Sequence, residues 1–442
     1  MTHALHRHSL DAEFPVAVKG DGVYLVDANG KRYLDGSGGA AVSCLGHSNA
    51  RVREAIHAQI DTLAFAHTRF FTNEPMEALA RDLVADAPPG LTKAWFTCGG
   101  SESIEAALKM TRQYFVETGQ PQRRNVIGRL QSYHGTTAGA LSAGGNIGRR
   151  AVFEPLLLGA MHHISPCFAY RGQGDDESAS QYGLRVADEL EAKILELGPD
   201  TVAAFIAETV VGSTLGCVPP VPGYFKRIRE ICDKYGVLLI LDEVMCGMGR
   251  TGYRYACEAE GVAPDFIALA KALSAGYLPL GALLVGDKVH KAIEAGSNAV
   301  MHSHTFTGHP AACAAAVAVQ KEVRERDLLA NVRKMGGVLK GVLSEQFGNH
   351  PHVGDIRGRG LFVALELVKD RGTKEPFDAA LGLSERIRVR AMENGLICYP
   401  MGGVVDGRRG ENVMLAPAFI IEEPQVFELV DKLNRTLEDV LP

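Results

Sequence analysis

Four short runs in the middle of the chain are apolar at every position: AAFIA at 203–207, VLLIL at 237–241, FIALA at 266–270 and ALLV at 282–285. A strand with one wet face alternates apolar and polar residues. A strand apolar throughout is buried on both faces, as in a parallel sheet covered by helices on either side. Helical patterns separate these runs, so the sequence predicts an α/β fold with a large doubly wound, mostly parallel sheet. At 442 residues the chain is long enough for two or three domains with substantial cores.

The ends read differently. Val23-Tyr24-Leu25-Val26 and Lys31-Arg32-Tyr33-Leu34 flank Asn29-Gly30, a hairpin signal. Near the other end Pro424 opens a helix whose Val426, Leu429, Val430, Leu433, Leu437 and Val440 follow helical spacing. The expected organisation is a large domain over 65–325. The segments 1–64 and 326–442 would together form a smaller α+β domain.

Composition narrows the function. With 46 basic and 52 acidic side chains the formal net charge is −6, which argues against nucleic acid or an anionic membrane as partner. No apolar run approaches the roughly 18 residues of a spanning helix, and the opening MTHALHRHSLDAEF has no apolar core of a signal peptide. Nine scattered cysteines without a CxxC pair fit reduced thiols in a cytoplasm better than disulfides or a metal site.

Four places carry chemistry. Cys98-Gly99-Gly100-Ser101 lies between the run AWFT and the helical SESIEAALKM. A glycine turn there offers backbone N–H groups at a helix start to a phosphate, although Gly-Gly also occurs in such loops for steric reasons alone. It does not match a G-x-G-x-x-G dinucleotide fingerprint, which disfavours a nucleotide-dependent dehydrogenase. Asp242 ends the run VLLIL, where ligands bind in open α/β sheets; alone, a solvated loop acid or helix cap is the plainer reading. Lys271 follows FIALA before a glycine-rich loop, either as an ordinary surface lysine or as a desolvated nucleophile. Tyr133-His134-Gly135 joins an aromatic ring to a flexible turn, with Tyr133 able to stack on a planar group or to fill a core. His134 reads as an acid/base group or, more simply, a hydrogen-bonded structural histidine. A phosphate cradle, an acid, an amine and an aromatic ring together are what pyridoxal phosphate requires.

LDEVMCGMGRTG at 241–252 and FIALAKALSAGYLPLGALLVG at 266–286 closely resemble the class III aminotransferases, the ω-aminotransferases of fold-type I. The likeness extends through FTCGGSESIEAALK, SYHGTT, FIAETVVG, HTFTGHPAACAA and VMLAPAFII, and so spans nearly the whole chain. It implies that Lys271 forms the Schiff base with pyridoxal 5'-phosphate and shuttles the proton, and that Asp242 partners the pyridine nitrogen. It further implies ring packing by Val244 and Tyr133, with Gly99, Gly100, Ser101, His134 and Gly135 around the cofactor. Glu208 matches a family acid near cofactor and substrate. Thr305 matches a threonine that reaches the phosphate of the neighbouring subunit, which implies a homodimer with shared sites, or a tetramer built from it.

Two departures bear on the substrate. Relatives acting on ornithine, acetylornithine or γ-aminobutyrate commonly carry Gln after Asp-Glu-Val, where this chain has Met245. Acetylornithine- and ornithine-type members tend to carry Arg after His-Gly, where this chain has Thr136. The sequence therefore resembles the amine:pyruvate and β-alanine:pyruvate branch. The expected reaction moves the amino group of a primary ω-amine or ω/β-amino acid to a 2-oxo acid, pyruvate first. The rivals are a decarboxylase, aminomutase or racemase on the same scaffold, a diaminobutyrate-type transaminase using 2-oxoglutarate, and a non-catalytic cofactor binder. Arg408 and Arg409, ahead of VMLAPAF, are the candidates for the acceptor's carboxylate, with Arg409 preferred. Pocket shape is expected to depend on Ser37-to-Val42 and His67-to-Phe71. Cys98 and Cys246 read as small packing residues.

Overall fold

A computed structural model describes residues 14–442; the opening stretch examined for a signal peptide lies, but for Phe14, outside the described residues. The central sheet has seven strands. From one edge they are Leu91–Thr97, Gly281–Gly286, Phe266–Leu269, Leu238–Asp242, Val202–Glu208, Asn125–Arg129 and Met161–Ile164. The four apolar runs supply four of these neighbours, and alternate side chains of each enter different cores. Phe205, Leu239, Leu241 and Ile267 join one cluster, which includes Val186 and Leu190 of helix Ala179–Leu197 and Ile228 and Ile231 of Tyr224–Tyr235. Ala204, Ile206, Leu238, Ile240 and Phe266 join the other, with Ile104 and Met110 of helix Gly100–Glu117 and Val289 and Ile293 of Asp287–Ala295. Burial on both faces is why no polar position interrupts these runs.

One strand departs from the parallel expectation. Gly281–Gly286 runs antiparallel to both Leu91–Thr97 and Phe266–Leu269, while the other six share a direction. Unbroken apolarity reports that both faces are covered, and a strand reversed within the same two-faced core carries the same signature.

The expected hairpin pairs Tyr24–Asp27 with Arg32–Asp35, its turn closed by Asp27 N–H donating to Lys31 O at 3.0 Å. Arg32–Asp35 also pairs in parallel with Leu396–Ile397, tying the early chain to the late one. A third sheet, Val353–Arg359, Phe362–Leu367, Glu411–Leu415 and Tyr399–Gly402, is antiparallel throughout. The last helix, Glu423–Val440, buries all six apolar positions read from its spacing. Helix Pro310–Glu325 packs on Ala50–Thr62 and Glu74–Ala85, so the N-terminal segment also leans on the large sheet's helical layer.

Candidate active site

The parallel strands release their chains into one cavity of about 370 Å³, a volume suited to a small ligand. Lys271, Asp242, Glu208, Tyr133, His134, Gly135, Val244, Gly99, Gly100 and Ser101 all line it. Lys271 follows strand Phe266–Leu269 with φ at 49°, a left-handed backbone that costs a non-glycine residue roughly 1–3 kcal/mol. The turn after it is held from behind, where the buried Gln320 amide donates to Ala272 O at 3.3 Å and Leu273 O at 3.0 Å. Desolvation lowers the Lys271 ammonium to about 8, against the opposing pull of Asp242 and Glu208.

Asp242 ends strand Leu238–Asp242 directly beside Glu208, its register partner at the end of Val202–Glu208. Its Oδ2 lies 2.8 Å from His134 Nδ1, and its Oδ1 accepts the Val244 N–H at 3.0 Å. The carboxylate is thus fixed at both oxygens. His134 is the hydrogen-bonded histidine that the sequence made the plainer reading, and among the described residues its Nε2 has no partner. Glu208 Oε1 accepts the Gly212 N–H at 3.2 Å while Oε2 has no partner among the described residues; burial and then Asp242 raise this carboxyl above its usual range, against His134.

The glycine turn lies where expected, between strand Leu91–Thr97 and helix Gly100–Glu117, with Gly99 at the cap. The first N–H groups of that helix lack intrahelical acceptors and open toward the cavity wall, which suits an anion. Close packing explains the small residues. A Cβ on Gly100 would stand 2.8 Å from Val244 Cγ1, and one on Gly135 (φ 139°) would stand 2.8 Å from Ser101 Cα. Ser101 Oγ accepts the Thr136 N–H at 3.1 Å, joining this turn to the Tyr133 loop. A helix start able to take an anion, a fixed carboxylate, a desolvated amine and the side chains of Val244 and Tyr133 in one cavity are a set that pyridoxal phosphate would fit.

Other predicted residues lie elsewhere. Thr305 is exposed, beside an aromatic cluster in which the Phe65 and Phe306 rings stand 5.8 Å apart. Val42 lines the cavity, whereas Phe70 and Phe71 are exposed. The structure does not bring Arg409 to the cavity: its Nε donates to Asp406 Oδ2 at 2.8 Å, and its side chain lines a separate recess with His352 and Phe377. Arg408 is exposed on the same loop. Met245 lines the cavity and packs its sulfur on Gly212; Cys246 is buried and Cys98 lies at the wall. Sequence reading missed Arg149, whose guanidinium carbon lies 4.6 Å from the centre of the Tyr133 ring. Nothing local distinguishes it, since Arg-Arg in a polar turn reads as a solvated pair.

The sequence model of the family described as Aminotransferase class-III matches residues 7–437. An uncharacterized aminotransferase of Schizosaccharomyces pombe is 45% identical, over 96% of this chain and 92% of its own length. A putrescine–pyruvate aminotransferase of Pseudomonas aeruginosa is 34% identical, over 96% and 90%. The crystal structure of an omega transaminase from Pseudomonas jessenii in complex with PMP superposes with a TM-score of 0.93 at 34% identity, covering 99% of this chain and 96% of that one.

Proposed function

Because this chain belongs to the class III aminotransferases, we propose that its donor is a primary ω-amine or ω/β-amino acid and its acceptor a short 2-oxo acid, pyruvate first. It is a pyridoxal-phosphate-dependent aminotransferase, acting between an amine donor and a keto acid acceptor. The observation that carries the assignment of roles is the juxtaposition of Lys271 with the Asp242–His134 pair under one cavity.

When bound, pyridoxal phosphate supplies an aldehyde that bonds amines and a protonated ring that takes up the electron pair left on carbon. The N–H groups of Gly100 and Ser101 would hold its phosphate, and Val244 and Tyr133 would pack against its ring. Asp242 would set a negative charge at the ring nitrogen, with His134 Nδ1 keeping that carboxylate turned the right way. Lys271 Nζ, desolvated and reactive near neutral pH, takes the proton from the donor's carbon and delivers it back within the same cavity. Glu208 borders the space left for substrate.

Thr136 and Met245 support the choice of substrate. Met245 on the cavity wall cannot hydrogen-bond as a glutamine would, and the exposed Thr136, next to the cavity-lining Gly135, cannot form an arginine's charged pair, so neither offers the contacts that ornithine- and acetylornithine-type relatives carry in these places. The relative named for putrescine and pyruvate is in keeping with a primary ω-amine donor and pyruvate as acceptor. A homodimer belongs to the same reading. Phe70 and Phe71 are 73% and 68% exposed and Phe306 53%, next to Thr305, an apolar surface that a second subunit would cover. So does a cytoplasmic location, supported by nine unbridged cysteines.

The test is a panel of half-reactions without acceptor. β-Alanine, a diamine, diaminobutyrate, ornithine, alanine and an arylalkylamine are each mixed with the holoenzyme while the visible cofactor band is followed. Bleaching by ω-amines and recovery with pyruvate are expected. Recovery with 2-oxoglutarate alone would move the assignment to the diaminobutyrate type. A band that no donor bleaches would favour a decarboxylase or racemase.

A further inference from the structure

The helical turn Ile147–Arg150 follows the Tyr133 loop and carries two arginines with opposite fates. Arg150 is structural: Nη1 donates to Ser142 O at 2.7 Å and Gly144 O at 2.8 Å, and Nη2 lies 3.6 Å from Glu154. Arg149 has no such partners. Its guanidinium rests against the face of Tyr133, a cavity-lining ring, and among the described residues no carboxylate forms an ion pair with it. Stacking occupies the flat face of a guanidinium and leaves its in-plane N–H fork for a planar anion.

The surroundings preserve that condition. Asn146 Oδ1 caps the turn by accepting the Arg149 N–H at 3.0 Å. A Cβ on Gly148 would lie 2.8 Å from Gly407 O, so the turn sits tightly on the loop that holds Asp406. That loop's acid is already engaged: it accepts the N–H groups of Arg409 at 2.8 Å and Arg408 at 3.0 Å as well as Arg409 Nε. These contacts, the Arg409 N–H foremost, hold the Asp406 carboxyl at about 2. Two other buried arginines are committed inward: Arg129, ending its strand of the central sheet, donates to Glu208 O at 2.6 Å, and Arg357 of the third sheet lies 2.7 Å from Glu366. The charge of Arg149 is felt in the cavity, where it opposes protonation of Lys271.

We propose that Arg149 is the cation that binds the carboxylate of the 2-oxo acid acceptor, so that the acceptor is chosen beside Tyr133 and not at Arg409. This rests on the aminotransferase reading above. It assigns substrate binding to a residue outside the motifs that mark the family in this sequence.

The test uses the holoenzyme and two readouts. In the first, sodium propanoate, a carboxylate without a reactive carbonyl, is titrated and its binding followed through the absorbance of the bound cofactor. Arg149→Ala is expected to weaken propanoate roughly 10- to 100-fold, the range of a charge-assisted hydrogen bond. Arg149→Lys is expected to fall between, and Arg409→Ala to lose less than Arg149→Ala. In the second, the half-reactions are separated: Arg149→Ala should slow pyruvate far more than a carboxylate-free arylalkylamine. Retention of the cofactor band in Arg149→Lys checks folding. Equal losses in both half-reactions, or a larger loss of propanoate in Arg409→Ala, overturn the proposal. If amines bleach the cofactor yet Arg149→Ala binds propanoate like the parent, only the Arg149 assignment falls. If no amine bleaches the parent, the transaminase reading fails and takes this proposal with it.

Discussion

The strand ends around Lys271 and the loop around Arg409 both gather acids and bases, yet they handle charge in opposite ways. At the strand ends the groups are held by other parts of the fold. Asp242 is held by His134 from a loop more than a hundred residues away, and the Lys271 turn by Gln320 from a distant helix. On the loop, Asp406 and Arg409 satisfy each other within three residues. A group held from elsewhere keeps its reactivity for a ligand; one that closes on its neighbour has little left to offer. The contrast says where function resides, and it can be attacked from either side.

The largest effect is expected from Lys271→Ala, which removes the lysine that lines the cavity. Turnover should fall roughly 10⁴-fold or more, and the bound cofactor should lose its characteristic visible band while still being retained. Near-normal steady-state rates would remove Lys271 from the centre of the mechanism. Asp242→Asn keeps the shape and removes the charge, so kcat should drop on the order of 10²–10³-fold. An unchanged kcat would mean that the carboxylate merely anchors His134.

The pH dependence sharpens the contrast further. The Lys271 ammonium is lowered to about 8 by burial, so the free amine gains population as pH rises toward that value and saturates above it. Cofactor capture by the apoenzyme, measured by stopped-flow absorbance, should accelerate about tenfold per pH unit below this point and level off beyond it. A rate that keeps climbing tenfold per unit through pH 9, with no levelling near 8, would show that the amine is not desolvated. Gly100→Ala drives a Cβ to within 2.8 Å of Val244 and pushes that side chain into the cavity. Titration of the apoenzyme with pyridoxal phosphate should show roughly tenfold weaker binding, the low end of the ~1–3 kcal/mol that overpacking costs. On the loop, Arg409→Ala removes an exposed pair, and thermal unfolding should change by no more than about 0.5 kcal/mol.

Legibility in the sequence follows the same division. The runs at 203–207, 237–241 and 266–270 were readable because burial on both faces leaves no polar position, and Asp242 and Lys271 because each ends such a run. The reversal of Gly281–Gly286 was not, since direction leaves no trace in an apolar run. Arg149 was invisible because its distinction is the lack of an acid beside it, a property of three dimensions. Arg409 looked promising in sequence because its partner Asp406, three residues away, could be known only from the turn that joins them.

The strand order also sets a timetable. Leu91–Thr97, which delivers the glycine turn, has a single neighbour in the sheet, and that neighbour is Gly281–Gly286. On a ribosome adding roughly 5–20 residues per second, the early strand waits seconds to tens of seconds for its mate. Lys271 is translated just before that mate arrives. The glycine turn and the amine are therefore expected to be brought together only once that late strand is made.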